Sequence, residues 1–86
     1  MVRILNSEEG PKYIVPLSIL PAGSRARVVD VKGGYGFRRK LFEMGVTPNA
    51  IVEVLANSRG PILIRVRGAV IAIGRGMAHK ILVEPI

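Results

Sequence analysis

Glycine and proline punctuate this chain so regularly that no regular element can run long. Ten glycines and six prolines are spread through 86 residues, and the longest interval free of both is Asn49 to Arg59. Glycine admits backbone conformations closed to other residues, while proline fixes φ and removes an N–H. Each therefore marks a turn, a cap or an end. Such spacing favours many short elements joined by tight turns. Uninterrupted apolar runs reach only a few residues, as in Ala69 to Ile73, far short of the ~20 that carry a helix across a bilayer. With 49% hydrophobic and 22% charged residues, the chain is too apolar to stay disordered on composition.

Residues 1–15 read as an N-terminal extension, either an added strand or a partly disordered tail. In it Asn6-Ser7-Glu8-Glu9-Gly10-Pro11 is turn chemistry between two short apolar pieces. Residues 16–86 read as one domain. Pro16 to Pro21 has room for one helical turn. Ser24 to Val28 alternates polar and apolar, the period of a half-buried strand. The alternation breaks at Val28-Val29 and resumes through Lys32, which a β-bulge would reconcile. Tyr35 to Met44 is the one good helix: Phe37, Leu41 and Met44 share a face at i, i+4 and i+7. Its stop is marked by Gly45 at the left-handed position, Val46 behind it, and Pro48. After Asn49 the pattern is strand, turn, strand: Ile51 to Ala56, Ile62 to Arg67, Ala69 to Ile73, a short link through Gly74-Arg75-Gly76, and Ile81 to Glu84. About five short strands, with one short α-helix after the first, predict a small, mostly antiparallel barrel. Its core is expected to use Ala26, Val28, Val54, Ile64, Val66, Ile71 and Val83.

The chemistry-bearing residues exclude most enzymes. No cysteine is present, so disulfides, iron–sulfur clusters and cysteine-bound zinc are excluded. His79 is the only histidine, hence the only candidate imidazole ligand. A lone histidine before a strand is more often a surface or capping residue, and metal at a subunit interface stays open. Among the carboxylates only Glu8 and Glu9 adjoin, and nothing resembles a catalytic acid pair. Gly33-Gly34-Tyr35-Gly36 lacks the lysine–hydroxyl ending of a phosphate loop, and Gly74-Arg75-Gly76 has His79 where a dinucleotide fingerprint needs glycine. Both read as turns. No catalytic set, cofactor or small-molecule substrate is expected.

The balance of 13 Lys and Arg against 6 Asp and Glu gives a formal charge of +7 and a pI near 10.9. Such a surface attracts phosphate, anionic lipid or an acidic protein face. The cations are scattered except at Arg38-Arg39-Lys40, beside Phe42 on the predicted helix. A basic rim next to an aromatic anchor has the composition of a partner-contact face; the competing reading is three charges facing water. The predicted strands carry no aromatic residue, which disfavours base stacking and proline-peptide binding. No signal-peptide apolar region follows Met1, and the chain reads as cytoplasmic.

The ordered signals Leu17-Ser18-Ile19-Leu20-Pro21-Ala22-Gly23, Ala26-x-Val28, Gly33-Gly34 and Leu41-x-Glu43-Met44-Gly45-Val46-x-Pro48 resemble the ferrous iron transport protein A (FeoA) family. Gly60-Pro61-Ile62, Val66-Arg67-Gly68, Ile71-Ala72-Ile73-Gly74-Arg75 and Ala78-x-x-Ile81-x-Val83 continue the likeness. The resemblance implies an SH3-like barrel, a non-enzymatic accessory protein of ferrous iron transport, and FeoB, the membrane permease with a GTPase domain, as partner. The family also occurs as a C-terminal domain of metal-dependent repressors; a start at Met1 without an upstream helix-turn-helix fits the free-standing form. The motif consists of core and turn residues and implies no binding residues. The alternative function is a small basic SH3-like barrel that holds nucleic acid through phosphate contacts.

Overall fold

The computed structural model describes residues 13–86; most of the expected extension, residues 1–12, lies outside them. The elements are β1 (Val15–Pro16), a 3-10 turn (Leu17–Ile19), β2 (Arg25–Val31), α1 (Tyr35–Glu43), β3 (Ile51–Ala56), β4 (Ile62–Val66), β5 (Ala69–Ile73), α2 (Arg75–Ala78) and β6 (Ile81–Pro85). The strands form one antiparallel sheet in the order β1-β6-β2-β3-β4-β5. All five expected strands are present. The sixth, β1, pairs Val15 with Val83 and Pro16 with Leu82; its Val15 is the last residue of the extension, for which an added strand is one of the two expectations.

β2 is bonded on both sides, to β3 and β6. Val28 pairs with Val83 and Asp30 with Leu82, leaving Val29 as the extra residue of a bulge. Side chains alternate strictly along a regular strand, so positions 28 and 31 would lie on opposite faces without it. With it, Ala26, Val28 and Val31 are all buried. A second bulge occurs in β3, where Val54 pairs with Ile64 and Ala56 with Leu63. β4 and β5 form a two-residue hairpin through Arg67 (φ 53°) and Gly68 (φ 80°). Two successive positive φ values match the right-handed twist of the strands it joins.

Six of the seven expected core residues are buried: Ala26, Val28, Val54, Ile64, Val66 and Val83. Ile71 is the exception and is only half-buried, because β5 is an edge strand; Ile73 is its core residue. On α1, Leu41 is buried, and Phe37 and Met44 are half-buried against the core. The helix ends as the glycine predicted. Gly45 (φ 93°) donates to Phe42 O at 3.0 Å, and Val46 donates to Leu41 O at 3.0 Å. Those two bonds define a Schellman cap. Ahead of the helix, Gly33 (φ 123°) lies under the Phe37 ring, and a Cβ there would stand 2.7 Å from Phe37 Cδ2.

Leu41→Ala should lower unfolding free energy by ~2–5 kcal/mol through its cavity, whereas Arg39→Ala should stay within about 0.5 kcal/mol. Gly33→Ala should be clearly destabilising, since both φ and the ring oppose a Cβ, while Gly34→Ala meets open space. Urea midpoints of the four variants check this ranking.

Candidate functional site

Successive residues of a helix are turned by about 100°, so the face opposite Phe37, Leu41 and Met44 is fixed once those residues meet the barrel. That outward face carries Tyr35, Arg38, Arg39, Phe42 and Glu43, which line a shallow concavity. Tyr35 is 79% exposed and Phe42 36%. The Arg38 guanidinium lies 5.7 Å from the Phe42 ring centroid, inside the ~6 Å reach of a cation–π contact. Arg39 Nε donates to Glu43 Oε2 at 3.3 Å, one helical turn on. Arg39 therefore has a local counter-charge, and Arg38 has a ring beside it.

Of the expected contact residues, Arg38, Arg39 and Phe42 come together and Lys40 does not. Lys40 precedes Phe42 by two positions, about 200° around the helix, and does not line the concavity. Adjacency in sequence is not adjacency on a helix. Tyr35 and Glu43 join the face although sequence reasoning left them out. Their signal was present: Tyr35, Arg38 and Phe42 stand at i, i+3 and i+7.

His79 lies elsewhere, exposed at the end of α2, with Nδ1 3.3 Å from Ser18 Oγ. Around it the polar side chains fasten chain segments. Asn57 Nδ2 donates to Ser18 O and Leu20 O, and Asn57 Oδ1 accepts from Arg75 Nη2 at 2.6 Å. Among the described residues no three His, Cys, Asp or Glu side chains gather where they could hold a metal. Glu84, the buried carboxylate, meets its cross-strand partner Arg27, which also donates to Asn49 Oδ1 at 3.0 Å. Glu53 meets Arg65 at 3.0 Å in the same way. These are ties between strands.

A FeoA domain model matches residues 15–85. The chain belongs to the FeoA family. An Fe(2+) transport protein A of Methanocaldococcus jannaschii is 38% identical over 69 residues, covering 80% of this chain and 84% of the relative. A crystal structure of an iron uptake regulatory protein (FeoA) superposes with a TM-score of 0.82 at 41% identity, over 86% of this chain and 100% of the other. A Stenotrophomonas maltophilia FeoA, solved with zinc and characterised as a prokaryotic SH3 domain protein, matches at TM-score 0.70 and 26% identity over 78% and 86%. The barrel is accordingly SH3-like, as the resemblance implied. A manganese-dependent transcriptional repressor shares the fold at TM-score 0.79 and 19% identity.

From this donor inventory, anaerobic calorimetry with ferrous iron should show no stoichiometric sub-micromolar site in the isolated chain. One such site per monomer would contradict the assignment of His79 and the carboxylates to structural ties.

Proposed function

We propose that this FeoA-family protein is a non-enzymatic accessory of ferrous iron transport that acts by contact with an FeoB-type permease, docking through the outward face of α1. The supporting observation is the pair of exposed rings, Tyr35 and Phe42, flanking Arg38 on a helix face that the core does not use. Aromatic residues and arginine are enriched in interface centres, where a ring fills a pocket and a guanidinium makes several bonds. The formal charge of +7 adds long-range attraction for an acidic partner surface. The protein acts in the cytoplasm, a reducing setting that suits a chain without cysteine, and reaches the membrane through its partner.

The nucleic-acid reading has less support. Arg27, Arg39 and Arg65 are each engaged by a carboxylate, and the exposed rings sit on a helix rather than on a sheet platform.

Binding to FeoB in detergent should separate these readings. The unaltered chain should bind, and Phe42→Ala should weaken binding at least about tenfold, as loss of an interface anchor does. Arg38→Ala should speed dissociation, since it removes the guanidinium between the two rings, while Lys40→Ala should change little. No binding by the unaltered chain, together with tight, steeply salt-dependent DNA binding, would favour the alternative.

A further inference from the structure

β5 is the last strand in the sheet order and lies apart from the outward face of α1. Among the described residues β5 pairs with β4 alone. In a two-residue hairpin the flanking residues Val66 and Ala69 exchange hydrogen bonds, and bonded and non-bonded pairs then alternate. Ile64–Ile71 and Ile62–Ile73 are therefore bonded pairs, and Arg65–Val70 and Leu63–Ala72 are not. The N–H and C=O groups of Val70 and Ala72 consequently point away from β4, along the open edge. Proteins usually guard such an edge with lysine, proline or a bulge. β5 reads Ala-Val-Ile-Ala-Ile, has no such guard, and leaves Val70 54% exposed.

We propose that this edge pairs with the same edge of a second copy of the chain, antiparallel, about a two-fold axis at Ile71. In that register Val70 of each copy faces Ala72 of the other, and each pair exchanges two hydrogen bonds. The contact is self-complementary, as a two-fold interface requires, and it joins two six-stranded sheets into one. The uncharged strand favours a second copy over the acidic partner that the chain's cations would draw. Two chains of +7 repel wherever cations meet, but β5 carries none. Val70 and Ala72 add apolar surface next to Leu63, which is 37% exposed. The nearest cations are tied to their own copy. Arg65 meets Glu53, Arg75 donates to Asn57 Oδ1 and Ser58 O, and Arg67 lies along Gly45, its Cδ 3.2 Å from where a Cβ would stand. An acidic partner finds no cation on this strand, so the edge and the helix face call for different occupants.

A ladder of five residues covers less than the ~1,200 Å² at which stable interfaces begin, so the dimer is weak, with Kd on the order of 0.1–1 mM. Sedimentation equilibrium and amide exchange on the full chain, over a concentration series spanning that range, test it. Association should tighten with added salt, because screening removes repulsion between the copies. Exchange at the Val70 and Ala72 amides should slow as concentration rises, while Ile71 and Ile73, bonded to β4, stay unchanged. Ala72→Pro removes an edge donor without touching the β4 ladder, and Val70→Lys places a charge on the outer face; both should abolish association. If Ala72→Pro fails to fold, Val70→Lys and the exchange data of the unaltered chain decide. Three results would overturn the proposal: a monomer at every concentration, association that survives the folded variants, or protection at Val70 and Ala72 independent of concentration, which would mean the chain covers its own edge.

Discussion

The Schellman cap at Gly45 and Val46 fixes the roll of α1 and the direction of the chain that leaves it. Reversal at Gly45 sends Val46, fully buried, into the same core as Leu41. Beyond it, Asn49, at φ 76°, donates to Val28 O at 2.7 Å, and Val28 donates to Ala50 O at 2.8 Å. β3 thus begins in register with β2 directly after the helix ends. With Phe37, Leu41 and Val46 held against the barrel, Tyr35, Arg38 and Phe42 fall on the outward side of the helix. The candidate docking face is a consequence of how the helix is terminated.

Most of the ion pairs contribute little to stability. The described carboxylates Asp30, Glu43, Glu53 and Glu84 each lie within ion-pair distance of a cation. Three of these pairs are exposed and contribute about 0–1 kcal/mol each. Glu84 differs because its side chain is only 11% exposed, so truncating Arg27 would remove a counter-charge from a largely desolvated carboxylate. The excess of cations leaves a positive field, which steers association and says little about where contact forms. The two proposed surfaces differ in what they offer: the helix face pairs rings with arginine, and the β5 edge has apolar side chains and open backbone groups.

Local chemistry was legible in the sequence wherever one residue type forces one conformation. The cap at Gly45 and the tight turn at Gly68 follow from such constraints, whereas the bulge after Val28 and the five main strands follow from the run and alternation of apolar residues. What stayed hidden depends on distant partners. β1 exists because Val83 offers it a ladder, and the hydrogen bonds of Asn57 span 37 and 39 residues. Ile71 misled because alternation identifies a face of a strand but not its place at the edge of the sheet. The run Arg38-Arg39-Lys40 fans out around the helix, so Lys40 lies away from the concavity that the other two line.

Docking of the transport partner on the outward face of α1, as proposed, would leave its own footprint on the chain. Chemical-shift mapping of the labelled full chain on addition of FeoB's cytosolic portion measures this directly. Perturbations should concentrate at Tyr35, Arg38, Arg39 and Phe42, with Lys40 and the β5 amides of Val70 and Ala72 little changed. A footprint centred on the sheet, with the α1 face unperturbed while the partner is bound, would contradict it.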